Sequence, residues 1–439
     1  MIADASSMCF RANFTKVNMF RTLKLDATRV YLFMEMAVAL FLCLVFETNS
    51  LYEATVAGLA PLQLVLIGTT LEISTFLFEV PTGIVADIYS RRLSIIIGYV
   101  LMGMGFLIEG FFPAFGPILL AQIIWGLGYT FTSGAKQAWI TDEIGEEAAN
   151  KLFLRTARLG AYAWLLGLGV TLLIGANNLA FPIRVGALGI VLTGIVLALI
   201  MPETGFHPTP QEDRNTWQHM WHIFKQGTNA VRIHPRLINI VFIGLCYGLY
   251  SEGLDRLSVK FLLDNFHLPV LFGSNQLSFF VLVNIIGSVL SIFVVRFVEK
   301  RLDTSSPLAI GRGMLLVTSL LVLSILSFAL SPTLVLAVIF MISVGLLRGV
   351  SGPLQMAWIN QKLDSSVRAT IHSMFGQVDA IGQTAGGPVI GLIANVFSVK
   401  LAIGISSLLL SPALLFIQRA NRIQTPELEA HETVSEPVI

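Results

Sequence analysis

Apolar residues fill most of this chain in blocks of about 20, which polar segments separate. A helix of about 20 apolar residues crosses the roughly 30 Å hydrocarbon core of a bilayer. Backbone amides in lipid must be paired within the segment, so the blocks predict helices rather than strands. Twelve blocks qualify, at about 29–50, 57–86, 93–112, 117–140, 152–175, 182–201, 237–258, 274–298, 307–330, 333–358, 371–396 and 400–418.

The composition agrees with this pattern. Hydrophobic residues make up 55% of the 439 residues, charged residues only 13%, and the mean hydropathy is +0.77. Soluble domains carry about 25% charged residues, so a soluble protein is excluded. We predict an all-α integral membrane protein with twelve spans. The three cysteines suggest neither a disulfide framework nor a zinc site.

The basic residues predict the orientation. A polar tail of about 28 residues precedes the first span, which is not the form of a cleavable signal peptide. This tail is basic, which favours a cytoplasmic N-terminus, and twelve spans return the C-terminus to the same side. Of the 28 Lys and Arg residues, 21 then lie inside, four outside and three within spans. We expect a plasma (inner) membrane location with both termini cytoplasmic.

The polar segments divide the chain into five parts. These are a cytoplasmic tail (1–28), a six-helix bundle (29–202), a linker (203–236), a second six-helix bundle (237–418) and a disordered polar tail (419–439). In the linker, Trp217, Met220, Trp221 and Phe224 follow a spacing of i, i+3, i+4 and i+7. This spacing predicts an amphipathic helix at the inner membrane face. Its role is either that of a plain interfacial linker or regulatory.

The two bundles share an internal repeat. "GLGYTFTSGAKQAWITDEI" at 126–144 aligns with "GLLRGVSGPLQMAWINQKL" at 345–363, a shift of 219 residues. The same shift brings Gly167 onto Gly386. Span 4 therefore corresponds to span 10 and span 5 to span 11, in the same direction across the membrane. Two bundles related by an axis along the membrane normal are typical of a large class of transporters.

The turn between spans 2 and 3 is unusually polar. It reads "FEVPTGIVADIYSRR" at 78–92, and here the chain resembles the major facilitator superfamily, whose signature in this turn is Gly-x-x-x-Asp-x-x-Gly-Arg-Arg/Lys. Gly83, Asp87, Arg91 and Arg92 match it, whereas Ser90 replaces the second glycine. The resemblance implies a fold of two six-helix bundles and secondary transport by alternating access.

The same turn suggests a latch on the inner side. Gly83 would allow two helices to meet closely, and Asp87 would face the N-terminus of span 11 near Thr370. Arg91 and Arg92 would reach Asp142 and Glu143, in a latch that holds the halves together while the site opens outward and breaks when it opens inward. The second half has a degraded copy of the turn, with Glu299 opposite Asp87. The alternative is that the arginines only set the topology.

Ionisable residues inside spans point to the transport path, because they usually face a cavity or a partner. Glu35 lies about 9 Å inside span 1, where burial favours the neutral carboxyl group. It is a candidate proton carrier, unless Lys136 or Arg348 holds it in a structural pair. Asp379 is a second candidate, although a helix N-terminal charge explains it better.

Other polar residues are predicted to line a cavity, with interhelical hydrogen bonds as the alternative. They are Gln122, Lys136, Asn284, Arg348, Gln355 and Gln383. Pro81 and the run "GQTAGGPVIG", with Gly386, Gly387 and Pro388, predict close packing and bending of helices. At the outer end of span 7, "YSEGLDRLSVKFL" contains four charged residues that form either an outer gate or a surface cluster.

The substrate is the least constrained prediction. Drug/proton antiporters of the family carry an arginine in span 4, four residues before a glycine. Here Gln122 takes that position, and the span 5 pattern of the antiporters lacks its central Gly-Pro. The aromatic-rich spans still favour a drug-efflux-like subgroup. We expect proton-coupled export of small amphipathic compounds, with uptake of a small metabolite as the alternative and a channel or receptor as less favoured.

Other classes lack their motifs. The chain contains no HExxH, GxSxG or GxxxxGK[ST] sequence, which argues against a metalloprotease, a hydrolase or an ATP-driven pump. We expect no cofactor and no metal, with the proton gradient as energy source. The expected partners are a small-molecule substrate and the bilayer, without nucleic acid, for a monomeric protein.

Overall fold

The computed structural model describes residues 25–208, 235–271, 275–302, 306–361 and 365–422. These residues form fourteen helices. They are α1 (Ala27–Thr55), α2 (Pro61–Ile88), α3 (Arg91–Phe111), α4 (Phe115–Thr132), α5 (Ala135–Ile144), α6 (Glu146–Gly175), α7 (Ala180–Ile200), α8 (Pro235–Asn265), α9 (Leu277–Arg301), α10 (Pro307–Leu330), α11 (Leu334–Gln361), α12 (Ser365–Val396), α13 (Val399–Leu410) and α14 (Pro412–Arg422).

The fourteen helices make the twelve predicted spans, because two spans are interrupted. Span 4 breaks between α4 and α5, where Gly134 has a φ of +72° that side-chain-bearing residues rarely adopt. Span 12 breaks at Ser411, before Pro412 starts α14. That last helix extends to Arg422, so the predicted disordered tail from 419 starts too early. The amphipathic linker helix lies outside the described residues.

Ten spans are long and apolar enough to cross a membrane within the described part of the chain. The other two long helices, α8 and α12, are interrupted by polar and charged side chains such as Glu252, Arg256 and Asp379. Since polar residues in a span usually face the protein interior, these two helices are the first place to look for a site.

Two hydrophobic cores correspond to the two halves. One is built from the first half alone and encloses Trp139, while the other encloses Trp358 in the second half. The two tryptophans of the repeat are each 1% exposed. Gly167 of α6 packs against Cys43 of α1, and Gly386 of α12 packs against Leu249 of α8, so the repeat-related helices make the same kind of pair in each half.

Glycines allow α8 and α12 to meet backbone to backbone. A Cβ on Gly248 would lie 2.1 Å from the carbonyl oxygen of Asp379, and one on Gly386 would lie 2.5 Å from that of Leu249. Pro388 lies inside α12, as Pro81 lies inside α2. The polar face of α8 is thereby fixed against the polar face of α12.

The two halves close together at one end. We call it the far end. The opposite end, where the first and last described residues lie, is the terminal end. At the far end, Asn275 donates to the carbonyl oxygen of Gly175 at 2.8 Å. A Cβ on Gly387 would lie 2.8 Å from Oγ1 of Thr69. Toward the terminal end, Gly83 and Gly376 face open space, so the space between the halves widens in that direction.

Candidate functional site

Two open cavities lie side by side, with Gln383 in the lining of both. The larger lies between the halves and has a volume of about 830 Å³, including the solvent space at its mouth. Residues of both halves line the larger one, namely Phe46, Asn49, Ser50, Leu71, Glu72, Phe106, Gln122, Trp125, Glu252, Asp255, Arg256 and Gln383. The smaller, of about 460 Å³, is lined by second-half residues only, namely Tyr247, Tyr250, Ser251, Arg348, Ser351, Gly352, Gln355, Asp379 and Gln383.

The first half contributes an aromatic wall to the larger cavity. The ring of Phe46 meets those of Phe106 and Trp125 edge-on, with centroids 5.9 Å apart in each pair. The rings of Phe106 and Trp125 lie 5.5 Å apart, and Tyr129 extends the group beyond Trp125. Aromatic faces of this kind bind flat apolar groups and cations.

The second half contributes hydrogen-bonding groups. The Tyr247 hydroxyl lies 2.8 Å from that of Thr318 and accepts from Ser351 at 3.0 Å. Gln355 donates to Ser351 at 3.3 Å. This chain fixes the orientation of the amide and hydroxyl groups that face the smaller cavity. A bound molecule therefore meets an apolar wall on one side and a preorganised polar surface on the other.

Several charged residues of the cavity have identified partners. Arg348 makes a two-pronged ion pair with Asp255, one of its contacts at 2.9 Å. Gln383 donates to Asp379 at 2.8 Å. Asp379 was expected to be a helix N-terminal charge. That interpretation is wrong, because α12 begins at Ser365, more than three turns before it.

Glu35 and Lys136 lie together in the first half. Their side chains form an ion pair at 2.9 Å, with 26% and 21% of their surfaces exposed. Lys136 reaches Glu35 because the break at Gly134 starts α5 one residue before it. Of the alternatives predicted for Glu35, the ion pair with Lys136 is the one observed. Arg348 pairs with Asp255 and not with Glu35. A proton-carrying role for Glu35 remains a prediction.

The other residues predicted to line the cavity divide into two groups. Gln355 and Gln383 line it, as described above. Gln122 is buried and donates to Glu109 at 3.4 Å while also lining the larger cavity. Asn284 donates to Glu47 of the first half at 2.5 Å, so it joins the halves and is not among the cavity-lining residues. 

The predicted inner latch is arranged differently from expectation. Arg91 pairs with Asp142 and donates to the carbonyl oxygen of Ala138 at 2.9 Å. Arg92 donates to the carbonyl oxygen of Ala198 at 2.5 Å, not to Glu143. All these partners belong to the first half, because the start of α3, α5 and the end of α7 meet at its terminal end. The contact of Arg91 with Asp142 is as expected, whereas a latch between the two halves, expected while the site opens outward, stays a prediction.

Glu203 is the acid that contacts the start of α3, where sequence analysis expected Asp142 and Glu143. Its carboxylate accepts from the Ser90 hydroxyl at 2.6 Å and from the backbone N–H of Arg92 at 2.9 Å. Ser90 itself accepts from the N–H of Leu93 at 2.9 Å. A serine thus caps α3 where the family signature has a glycine, and the carboxylate adds a favourable charge at the helix N-terminus.

Three latch residues have other environments. Gly83 does not mediate close packing, since a Cβ there would meet nothing within 4 Å. Asp87 is half-buried in the last turn of α2, and the side chains around Thr370 that it was expected to face lie outside the described residues. Glu299 is exposed and lines a mainly apolar groove between α9 and α11.

Sequence analysis missed two buried acids and a half-buried one. Glu47, Glu53 and Glu109 lie in helices α1 and α3, and Glu53 and Glu109 are 1% and 0% exposed. The available signal was an acid inside or just beyond an apolar block, as in "VFETNSLYEA" and "FLIEGFF".

At the end of span 7, Glu252 and Arg256 form an ion pair at 3.0 Å that is largely buried between the halves, which excludes a surface cluster for these two residues.

Comparisons with known proteins agree with this architecture. Residues 30–387 match the sequence model of the Major Facilitator Superfamily. The chain is 24% identical over 361 residues to the "Uncharacterized MFS-type transporter YxaM" of Bacillus subtilis (strain 168), covering 81% of this chain and 86% of that protein.

Solved structures show the same fold. A crystal structure of the nucleoside transporter NupG matches with a TM-score of 0.69 at 15% identity, covering 90% of this chain and 99% of that one. An inward-facing bacterial homologue of the lysosomal transporter Spinster matches at 0.68 and 14%, covering 91% and 98%. A D-xylose-proton symporter matches at 0.61 and 14%, covering 89% and 96%.

Proposed function

Because this chain belongs to the Major Facilitator Superfamily, it is a multi-pass secondary transporter and not an enzyme, and we propose that it exports small amphipathic compounds in exchange for protons. The observation that carries the proposal is the two-sided cavity. Phe46, Phe106 and Trp125 offer an apolar wall, opposite the amide, hydroxyl and charged groups of the second half. A compound with one apolar and one polar side matches both surfaces.

Alternating access is supported by where the halves touch. They are packed together at the far end and separated by open space beside Gly83 and Gly376. With both termini in the cytoplasm, as the basic tail predicts, this conformation opens inward and would load its substrate there. Loading from the inside is what an exporter requires.

The test is flux across reconstituted vesicles. Purified full-length protein is placed in proteoliposomes, and a library of amphipathic and polar compounds is screened for uptake and efflux with and without an imposed pH gradient. We expect saturable movement of amphipathic compounds in the direction opposite to the proton flow, with counterflow. Movement that never saturates would indicate a channel and contradict the proposal.

Uptake of a small polar metabolite is the second candidate. It is favoured by the smaller cavity, whose ordered chain of Tyr247, Ser351 and Gln355 suits a hydroxyl-rich molecule. Two fold relatives transport a nucleoside and D-xylose according to their names, although identities of 14–15% carry the fold alone. In the same screen, proton-driven accumulation of polar compounds only would select this candidate.

Neutralising Asp87 is expected to reduce transport at least tenfold. The residue matches the acid of the family signature and ends α2, which lines the space between the halves, so we propose that it stabilises one of the two access states. Asp87→Asn should insert and purify normally while flux of a compound identified in the screen is lost. Asp264→Asn, at a surface ion pair with Lys260, is the matched control. Wild-type flux in Asp87→Asn would remove this role.

A further inference from the structure

Two acids are buried against each other at the far end. Glu53 lies in the last turn of α1 and Glu109 in the last turn of α3, with 1% and 0% of their surfaces exposed. Tyr52, the neighbour of Glu53 in the chain, donates to the carbonyl oxygen of Glu109 at 2.9 Å, so the two helix ends lie together. Two carboxylates buried in one place disfavour double ionisation, so one of the two groups holds a proton. The geometry therefore contains a place for a bound proton.

The pair has capacity for more than one proton. Oε1 of Glu53 and Oε1 of Glu109 have no hydrogen-bond partner among the described residues, and neither does Oδ1 of Asn49, which is 7% exposed. Asn49 lies one turn before Glu53 and lines the larger cavity together with Gln122, which donates to Glu109 at 3.4 Å. Buried polar atoms are normally paired, so three such acceptors around one carboxyl pair indicate a site that binds a further donor.

The positive charge facing the pair comes from the other half. Arg256 of α8 attracts both carboxyl groups across the interface, and Glu252 accompanies it in an ion pair at 3.0 Å. Glu252 packs directly against Gly68 of the first half. A Cβ added to Gly68 would lie 1.4 Å from Oε1 of Glu252.

Two other charged residues nearby, Arg184 and Glu72, contact groups outside the pair. Arg184 of α7 donates to the carbonyl oxygen of Gly110 at 2.8 Å and covers the ring of Phe111. Glu72 of α2 faces Arg256 and Glu252 from the side of the cavity. Arg256 is therefore the cation whose distance from the pair changes when the halves separate.

We propose that Glu53 and Glu109 form a proton-binding site that couples proton uptake to opening of the far end. In the closed form the pair holds one proton, and Arg256 balances its remaining negative charge. Opening withdraws Arg256 and exposes the pair to water, so the remaining carboxylate binds a proton to become a second carboxyl group. Closing returns Arg256, and the proton leaves toward Asn49 and Gln122, which contact the pair and line the larger cavity.

This inference deepens the proposed proton coupling and predicts the sign of a pH effect. The open form binds one proton more than the closed form, so acidification favours opening. The ratio of open to closed molecules should change by up to about tenfold per pH unit in the range where the pair titrates.

The experiment measures the opening without any substrate. Spin labels are attached to cysteines at the exposed positions Asn177 and His267, one in each half at the far end, in the full chain with its native cysteines replaced and reconstituted in lipid nanodiscs. Pulsed electron spin resonance then gives the populations of short and long distances as pH is varied at constant sodium. The wild type should shift toward long distances as pH falls.

The variants assign this shift to the pair. The double variant Glu53→Gln with Glu109→Gln mimics the doubly protonated pair, so it should show long distances at every pH. Glu53→Asp keeps a carboxyl group and should retain a pH response, which separates loss of the proton from general damage. Glu147→Gln, at an exposed ion pair on α6, should behave like the wild type.

Two results would overturn the proposal. One is a wild-type pH response in the double glutamine variant, and the other is a response that follows sodium concentration and not pH. Because no substrate is present, failure of the proposed amphipathic export in the vesicle screen would leave this measurement unaffected.

Discussion

Gly248→Val is expected to abolish the folded second half. A Cβ at this position would lie 2.1 Å from the carbonyl oxygen of Asp379, 2.9 Å from its carbonyl carbon and 3.0 Å from the backbone nitrogen of Gln383. All three are backbone atoms, so no side-chain rotation relieves the overlap and α8 must separate from α12. Overpacking of a core costs about 1–3 kcal/mol when side chains can adjust, and we expect a larger loss here.

Thermal unfolding in detergent and gel filtration would measure this loss. Gly287→Val is the matched control, since Gly287 also lies within a membrane helix and a Cβ there meets nothing within 4 Å. The control should purify like the wild type, whereas Gly248→Val should aggregate or unfold at a clearly lower temperature. Equal stability of the two variants would show that α8 and α12 do not pack as described.

Glu35→Gln is expected to uncouple transport from the pH gradient. Glu35 lies half-buried within α1 beside Lys136 at 2.9 Å, and it is proposed to exchange this ion pair for a proton during the cycle. Without a titratable group at this position, flux of a compound found in the vesicle screen should continue down its own gradient. The acceleration by an imposed pH gradient should fall at least tenfold.

Lys136 provides the control for this experiment. Lys136→Met leaves the Glu35 carboxylate without its ion-pair partner. Breaking a buried ion pair costs about 3–5 kcal/mol, so this variant should be unstable at neutral pH. The double variant Glu35→Gln with Lys136→Met should regain stability without regaining coupling. A Glu35→Gln protein that still responds to the pH gradient would assign Glu35 a structural role only.

Most of the fold could be predicted from the sequence, because lipid imposes strict requirements on length and polarity. The twelve apolar blocks predicted all twelve spans, and the repeat around Trp139 and Trp358 pointed to two equivalent halves. The breaks at Gly134 and Ser411 were missed, because each lies inside a block whose length alone predicts one continuous span. The end of α14 was missed because its last turns are polar.

The site was predicted less completely, because pairing depends on contacts between distant helices. Glu35, Lys136, Arg348 and Asp379 were identified as polar residues in apolar surroundings. The pairing of Glu35 with Lys136 was among the alternatives, but the partner of Arg348 could not be derived. Arg348 selects Asp255 from α8 through packing that no local pattern records. The Arg92 side chain likewise reaches the carbonyl oxygen of Ala198, a group that every residue possesses and no sequence pattern marks.

The helix break at Gly134 has a mechanical consequence. It leaves α5 as a separate helix of ten residues, which carries Lys136 in its first turn and ends beside the segment that leaves the first half. Trp139 donates to the carbonyl oxygen of Pro202 at 2.8 Å, and Glu143 accepts from the backbone of Thr204 at 2.5 Å. A displacement of this segment would thus be transmitted along α5 to the Glu35–Lys136 ion pair.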